Sequence, residues 1–329
     1  MRSLAVLRTG PLVTVQDRGR IGLAHLGVSR SGAADRAALA RANRLVGNTA
    51  RAAGLEVLLG GLGVRATSPL VVAVCGAACD VTVDGAPAGR DAVLILGPGA
   101  VLALGTARAG VRAYLAVRGG LDVPPELGSR SRDTLAALGP EPVRAGDVLP
   151  VGPSGAFAGP DVAGWPNVDQ VPVAPPPGPD DVVTLRARPG PRLDRLAPGA
   201  AARLWSVTWT VAPDSDRVGV RLAGPPLEHR PGGGELPSEP LVRGAVQVPP
   251  AGGPVAFLAD HPVTGGYPVA AVVLDADTDR LAQLRPGQGV RLVPVVPRAG
   301  DALGGGGGGF CGGGGFGGGG GPGLGWWGW

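Results

Sequence analysis

Short apolar runs separated by turn residues set the pattern of the first half of the chain. Two runs, LAVLRTG and LVTVQD, lie within residues 4–17 and are divided by Gly10-Pro11. Further runs follow at intervals of roughly eight to twelve residues, which is typical of antiparallel barrels and sandwiches: LEVLLGG, LVVAVCG, CDVTVDG, AVLILG, AVLALG and RAYLAVRGG. Val-Asp-Gly at 83–85 and Gly-Pro-Gly at 97–99 predict hairpin turns. The pattern therefore predicts a β-barrel or a β-sandwich.

One segment of this half has helical periodicity instead. Residues 33–46 carry an apolar stripe formed by Leu39, Ala42 and Val46. Ser31-Gly32 precede the predicted helix, Asp35 falls in its first turn, and Gly47-Asn48 end it. Asn43 lies close to the stripe, so we expect it to be partly buried.

The second half repeats the β-rich pattern after a change in composition. Residues 153–181 are rich in Pro and Gly without periodicity, which predicts a linker between subdomains at 1–152 and 182–297. The second subdomain is predicted to contain a hairpin from Ala245 to Asp260 and a short helix near Asp277–Leu284. Residues 298–329 are mostly glycine, so we expect a disordered tail without function. The predicted fold is mainly β, with two β-rich subdomains and a few short helices.

Composition excludes several mechanisms. Every basic side chain besides histidine is arginine, because the sequence contains no lysine. A Walker A phosphate loop and a lysine Schiff base both require lysine, and so does covalent attachment of biotin. A net charge of +4 with mixed signs does not indicate a nucleic-acid partner. No stretch approaches the ~20 apolar residues of a membrane span, and the N-terminus has no signal-peptide pattern, so a cytoplasmic location is expected.

The cysteines and histidines do not predict a metal site. Cys75 and Cys79 lie four residues apart without a nearby histidine, and Cys311 is far away in the sequence. We interpret the first two as small buried apolar residues. The three histidines are scattered along the chain, at positions 25, 229 and 261.

Two arginine-containing segments combine glycine with polar side chains. In residues 14–35, Asp17, Arg18, Arg20 and Ser31 are candidates for binding a polar ligand, although a loop pinned by an Asp–Arg pair explains the segment equally well. In residues 215–222, Arg217 and Arg221 are an even number of residues apart, so on a strand both would project from one face. Two guanidinium groups on one face suit a carboxylate or phosphate. The alternative is a pair of solvated side chains near Asp216.

Two further segments lie in the predicted hairpin and just after it. Gln247 is an amide among strand residues and must be hydrogen-bonded if it points inward. Asp260 ends the hairpin and is followed by a Gly-Gly turn, an arrangement suited to acid–base chemistry or substrate binding. From these segments we predict Asp260, Gln247 and Tyr267 as catalytic, and Thr264, Gly265 and Gly266 as substrate-binding. The chain contains no nucleophile–base signature.

These segments resemble the allophanate hydrolase subunit 2 family, also called the biotin-dependent carboxyltransferase domain family. The resemblance spans about residues 4–296. The matching stretches, in order, are TVQDRGR, HLGVSRSGAADRAALARANRLVGN, LEVLLGG, RAYLAVRGGLDVPPELGSRSRDT, SDRVGVRLAGPPL, GAVQVPPAGGPVAFLADHPVTGGYP and LAQLRPGQGVRLVPV. It implies two β-barrel-like subdomains of cyclophilin-like character, with the active cleft at their junction. The chain departs from the family pattern at Val269, where the family often has lysine, so no role that needs an amine is assigned there.

The resemblance also implies an activity. It indicates the C-type component of an ATP-dependent 5-oxoprolinase, which opens 5-oxoproline to glutamate with a B-type partner resembling allophanate hydrolase subunit 1 and a separate A-type partner. In this hypothesis Arg217 and Arg221 bind phosphate or carboxylate, and Gln247, Asp260, Thr264 and Tyr267 hold the lactam. ATP would be bound with the partner protein. Two alternatives stay open: the carboxyltransferase component of a biotin-dependent urea or amide carboxylase, and a regulator that binds a kinase inhibitor.

Overall fold

The computed structural model describes residues 2–153, 173, 175–232 and 234–295. Most of the predicted linker at 153–181 lies outside these residues, and so do Cys311 and the whole of the predicted tail at 298–329. The predictions for those segments stay predictions. None of the described helices is long and apolar enough to cross a membrane.

The first half contains two antiparallel sheets built from eleven strands. These are β1 (Ser3–Arg8), β2 (Leu12–Gln16), β3 (Gly54–Leu58), β4 (Gly63–Ala66), β5 (Leu70–Ala78), β6 (Val81–Val83), β7 (Ala86–Ala88), β8 (Val93–Leu96), β9 (Val101–Leu104), β10 (Ala109–Val117) and β11 (Val148–Pro150). One sheet has six strands in the order β11-β1-β4-β9-β6-β7, and the other has five in the order β2-β3-β10-β5-β8.

Both sheets contribute to one apolar core. Leu4 and Val64 of the six-stranded sheet lie in the same buried cluster as Val57 and Leu115 of the five-stranded sheet. Inward side chains alternate with outward ones along each strand, so a run of five or six residues supplies two or three core side chains. The first half therefore has the layered arrangement of the predicted sandwich.

One of the two predicted hairpin turns is confirmed and the other is wrong. Asp84 and Gly85 have φ values of 50° and 80° between the paired strands β6 and β7, as a two-residue hairpin turn requires. Residues 97–99 instead connect β8 to β9, which belong to different sheets. A glycine–proline turn signals a change of direction, but it does not determine whether the next strand pairs with the previous one.

The predicted helix of the first half is confirmed as α1 (Arg36–Leu45). Asp35 is its N-cap rather than part of its first turn, because the carboxylate accepts a hydrogen bond from Ala38 N at 2.9 Å. Asn43 is fully buried and not partly so, and its amide donates to Ala52 O at 2.9 Å. The apolar face of α1 packs on β5 and β10, where it covers Cys75.

The interpretation of Cys75 and Cys79 is also confirmed. Both thiols are free and buried. Burial raises the pKa of each thiol above its ordinary value.

The second half forms a closed seven-stranded barrel. Its elements are β12 (Val183–Pro189), α2 (Pro198–Ser206), β13 (Trp209–Val211), β14 (Gly219–Ala223), β15 (Glu239–Pro240), β16 (Ala245–Gln247), β17 (Val255–Phe257), β18 (Thr264–Gly265), β19 (Val269–Val273), α3 (Asp275–Leu281) and β20 (Gly289–Pro294). The barrel strands follow the order β12-β19-β16-β17-β14-β13-β20, and Trp209 and Leu185 lie fully buried in its core. The predicted hairpin from Ala245 to Asp260 is confirmed by the antiparallel pairing of β16 with β17.

Two helices accompany the barrel among the described residues. The predicted helix near Asp277–Leu284 is present as α3, which begins two residues earlier. The sequence pattern did not predict α2, although a proline at its first position and alanines at its third to fifth positions favour a helix. The mainly β fold with few helices is confirmed.

Candidate functional site

A buried ion-pair network joins the first half to the barrel, and Arg217 is at its centre. The Arg217 side chain is 3% exposed and lies between Glu56 of β3 and Asp260. Its Nε donates to Asp260 Oδ2 at 2.9 Å, its Nη1 donates to Glu56 Oε1, and its Nη2 donates to Gly32 O at 2.7 Å. One guanidinium thus connects three segments that are distant in the sequence.

Asp260 is enclosed by donors from both halves. Ser31 Oγ donates to Oδ1 at 2.6 Å, while the backbone N and the Oγ1 of Thr134 donate to Oδ2 at 2.9 and 2.7 Å. The residue is fully buried. Burial alone would raise the pKa of this carboxyl, but the Arg217 charge and the hydrogen bonds lower it below the ordinary value. The carboxylate therefore stays ionised and holds the two halves together.

Glu56 completes the network on the side of the first half. Its Oε2 accepts hydrogen bonds from Ala34 N at 2.9 Å and from Tyr114 Oη at 2.8 Å, and Arg112 Nε lies 3.4 Å from Oε1. Burial acts to raise the pKa of Glu56, but the charges of Arg217 and Arg112 lower it overall. Two buried carboxylates are thus balanced by two buried arginines.

The prediction that Arg217 and Arg221 share a strand face is wrong. Arg217 precedes β14, and the Asp216 carboxylate accepts hydrogen bonds from Val218 N and Gly219 N at 2.8 and 3.1 Å. That turn breaks the alternation on which the prediction depended. Arg221 points outward with a side chain 56% exposed, and it pairs with Asp214 at 2.9 Å.

A cavity of about 500 Å³ lies beside this network, at the junction of the halves. We call it the junction cavity. Its lining comes from loop 20–36 of the first half and, in the barrel, from β12, β19 and the segments 241–243 and 261–263. Its described lining carries one carboxylate, that of Asp275, and five arginines: Arg20, Arg30, Arg36, Arg188 and Arg243. An excess of positive charge in a concave site favours an anionic ligand.

His261 adds an imidazole to this lining. The residue is 8% exposed, and its Nδ1 lies 2.8 Å from Pro262 O. Burial lowers the pKa of His261 below its ordinary value, and the nearby Arg36 and Arg243 charges act in the same direction. The ring is therefore neutral near pH 7.

A second cavity, of about 650 Å³, contains two of the predicted residues. Gly266 and Tyr267 line it together with Arg195, His229 and Arg230. Tyr267 is 47% exposed. We call this space the tyrosine cavity. Its lining does not include Asp260, so the structure does not bring the predicted catalytic residues together around one space.

Gln247 lies behind the wall of the tyrosine cavity and holds the backbone of Tyr267. Its side chain is buried, and its Nε2 donates to Tyr267 O at 3.0 Å, which fulfils the expectation that an inward amide finds a partner. A Cβ on Gly265 would lie 2.6 Å from that Nε2, so a larger residue there would have to displace the Gln247 amide. Thr264 is exposed in β18. Val269 is buried in β19, so the departure from the family pattern places an apolar side chain in the barrel.

Asp17 and Arg18 lie apart from both cavities. Asp17 Oδ1 accepts hydrogen bonds from Ser129 Oγ and Ser131 Oγ, each at 2.6 Å, and its Oδ2 accepts from Arg130 N at 2.7 Å. Arg18 is exposed and its carbonyl accepts a hydrogen bond from Arg30 Nε at 3.1 Å. Asp17 thus fixes the loop around residues 129–131. This agrees with the alternative prediction of a pinned loop, except that the side-chain partners of Asp17 there are serines and not an arginine.

Of the residues predicted to bind a ligand, Arg20 lines the junction cavity. Otherwise sequence reasoning identified the segments but not the side chains that face this cavity. Arg30 and His261 line the cavity, whereas the predicted residues Ser31 and Asp260, which are their immediate neighbours in the sequence, do not. Ser31 has a left-handed backbone with φ of 53° and donates a hydrogen bond to Asp260, so both predicted residues belong to the buried network while their neighbours line the cavity. Arg188 and Arg243 were missed because no local motif marks them.

Asp35 gives the junction a pH dependence that can be measured. Burial raises the pKa of Asp35 to about 6, from an ordinary 3.8, and the nearby Asp279 charge adds to the shift. A raised pKa means that the folded state favours the neutral carboxyl. Its stabilising contribution is complete below pH 3.8 and is lost as the pH rises through 6. We expect this group to lower the free energy of unfolding by about 2 kcal/mol between pH 4 and pH 7.

The matching variant is Asp35→Asn, which keeps an N-cap acceptor and removes the titration. Urea unfolding of both proteins at pH 4, 5, 6 and 7 isolates the contribution, because Glu56 and Asp260 titrate identically in both. The difference in unfolding free energy between the two proteins should change with pH in the direction given above. A constant difference would contradict the assignment.

Comparison with known proteins gives concordant matches. The profile of the family "Carboxyltransferase domain, subdomain A and B" matches residues 26–294. The chain is 36% identical over 297 residues to the C component of the Escherichia coli 5-oxoprolinase, covering 88% of this chain and 90% of that protein. It is 33% identical to the urea amidolyase of Lachancea kluyveri, but covers only 17% of it. The crystal structure of TTHA0988 superposes with a TM-score of 0.78 at 37% identity, covering 89% of this chain and 56% of that one.

Proposed function

Because this chain belongs to the carboxyltransferase domain family, subdomain A and B, we propose that it is the C-type component of a 5-oxoprolinase. The observation that carries the proposal is the extent of the match. The match takes in 88% of this chain and 90% of the corresponding E. coli 5-oxoprolinase component. The chain covers only 17% of a urea amidolyase, so most of the length of that protein has no counterpart in this chain.

The proposed reaction is the ATP-dependent opening of 5-oxoproline to glutamate by a complex. The γ-phosphoryl group of ATP goes to the lactam oxygen with release of ADP. One water then adds to the activated carbon and the C–N bond breaks, which leaves an acyl phosphate, and a second water cleaves that acyl phosphate to glutamate and phosphate. In this proposal the chain and a B-type partner resembling allophanate hydrolase subunit 1 perform the activation, and a separate A-type partner completes the hydrolysis. The chain contains no lysine, so it does not bind ATP through a Walker A loop.

The two cavities support complementary roles in this proposal. The arginine-rich lining of the junction cavity suits an anionic group of a substrate. The tyrosine cavity offers a phenol and a glycine-lined surface that Gln247 holds in place. Arg217 and Asp260 support the site by fixing the junction, and neither is assigned direct contact with a lactam, since both are enclosed.

The second candidate function is carboxyl transfer to urea or a related amide. The similarity to a urea amidolyase favours it. This chain has no lysine, so biotin would have to be carried by another protein. A neighbouring gene for a biotin carboxylase would favour this function, whereas genes for the A-type and B-type partners would favour the oxoprolinase. A gene for a sensor kinase would instead favour the regulator that binds a kinase inhibitor.

The test is ATP-dependent glutamate release from 5-oxoproline by this chain with its B-type and A-type partners, repeated with each one omitted. We expect glutamate from the full mixture and a background rate from every mixture that lacks one component. A mixture lacking this chain that is equally active would refute the proposal. A stable complex with the B-type partner that forms no glutamate would favour carboxyl transfer, to be assayed next with a biotin carrier and a biotin carboxylase.

A further inference from the structure

Two arginines that line the junction cavity carry guanidinium nitrogens that are buried and have no hydrogen-bond partner among the described residues. Arg20 is 2% exposed, and of its guanidinium nitrogens only Nη2 has a hydrogen bond, to Ser131 O at 2.9 Å. Nε and Nη1 are buried with no partner among the described residues. Arg243 is 8% exposed, and its Nε is likewise without a partner there. A buried donor on a charged group is costly to leave without a partner, so three such donors on two arginines that line the same cavity require an explanation.

These arginines are held in place before any ligand arrives. Nη2 of Arg243 donates to Ala34 O at 2.7 Å and to Asp279 Oδ1 at 2.6 Å, which fixes the guanidinium against the start of α1. Arg20 is fixed by Ser131 O and by the pairing of its backbone N with Arg30 O at 2.7 Å. Donors that are fixed in advance lose little conformational entropy when an acceptor binds.

The carboxylates near the cavity do not balance its positive charge. Asp275 lies 3.6 Å from Arg36 and 3.2 Å from Arg243, and it is 80% exposed, so water screens these pairs. Asp279 is already engaged by Arg243. Burial, followed by the charges of Arg243 and Arg30, lowers the pKa of Arg36 to about 10. Crowding of like charges at this depth would be relieved by a bound anion.

We propose that the junction cavity is a binding site for a small oxyanion, a carboxylate or a phosphate, which accepts hydrogen bonds from Arg20 and Arg243 and is surrounded by Arg30 and Arg36. Both acceptors have the planar or tetrahedral oxygen geometry that guanidinium groups recognise. The cavity of about 500 Å³ admits either group on a small molecule. The proposal rests on the anion-binding role that the proposed function gives to this cavity, but it concerns binding by this chain alone, so its failure can be distinguished from a failure of the oxoprolinase assay.

The experiment is isothermal titration calorimetry on the full chain in a zwitterionic buffer of low ionic strength. Three probes distinguish the chemistry: inorganic phosphate, 5-oxoproline, and 2-pyrrolidinone, which is the same lactam without the carboxylate. We expect at least one of the two anions to bind at a single site, and 2-pyrrolidinone to give no heat of binding. Preference for phosphate or for 5-oxoproline identifies the source of the oxyanion.

The variants decide whether the heat comes from this cavity. Arg20→Gln should weaken binding about tenfold or more, and Arg30→Gln, in a half-buried position, provides the same test if the first variant does not fold. Arg108→Gln is the control, because it removes the same charge from an exposed site paired with Asp80 at 2.5 Å, and it should bind within about twofold of the parent chain. The proposal is overturned if neither anion binds, or if the cavity variants bind as well as the control.

Discussion

Arg217→Ala is expected to lower the free energy of unfolding by about 3–5 kcal/mol. The substitution leaves Glu56 and Asp260 buried without the cation between them, and it removes the hydrogen bond to Gly32 O. Burying an uncompensated carboxylate costs far more than losing an exposed pair, because water cannot reach the charge. Urea unfolding followed by circular dichroism measures the change.

Arg221→Ala is the matched control for this prediction. It removes the same side chain four residues later, from an exposed pair with Asp214, and should change stability by less than about 1 kcal/mol. Arg217→Lys keeps the charge but cannot donate to Glu56, Gly32 and Asp260 at once, so its cost should fall between the two. Equal stability of Arg217→Ala and Arg221→Ala would show that the buried network does not hold the halves together.

The sequence predicted the elements well where a local signal determines them. Asp84-Gly85 needs a left-handed backbone, which only a few residue types adopt readily, so the β6–β7 hairpin is visible in the letters. The stripe of α1 is similarly local, because residues three and four apart share a helix face. Both features depend on neighbours within a few positions of the chain.

Features that depend on tertiary contacts could not be predicted in this way. The turn at 97–99 leads into a different sheet, and only the packing of the two sheets determines that. Arg20 and Arg243 are separated by more than two hundred positions in the sequence, yet both line the junction cavity. Asp260 stands out in the sequence, but its role as an enclosed partner of Arg217 depends on Ser31 and Thr134 from the other half.

Gly139→Ala is the second substitution with a large expected effect, and it acts on the wall of the junction cavity. Gly139 has φ of +83°, and a Cβ there would lie 2.1 Å from Ser131 O and 3.0 Å from Arg20 Nη2. The oxygen belongs to the backbone and is the acceptor that holds Arg20, so relieving the clash must move the Arg20 guanidinium. We expect a loss of about 3 kcal/mol, of which about 1–2 kcal/mol is the cost of the left-handed backbone.

Gly128→Ala separates these two contributions. Gly128 has φ of +79°, nearly the same backbone conformation, but a Cβ there would meet nothing within 4 Å. It should therefore lose only the backbone cost and should retain the oxyanion affinity of the parent chain, whereas Gly139→Ala should weaken that affinity together with its stability. Unfolding in urea and calorimetric titration with phosphate or 5-oxoproline measure the two effects on the same samples. If both variants lost stability equally and bound equally well, the contact between Gly139 and Ser131 would not determine the position of Arg20. A greater loss in Gly139→Ala on both measurements would connect the sharp turn at residue 139 to the anion site, through the single carbonyl group that the two share.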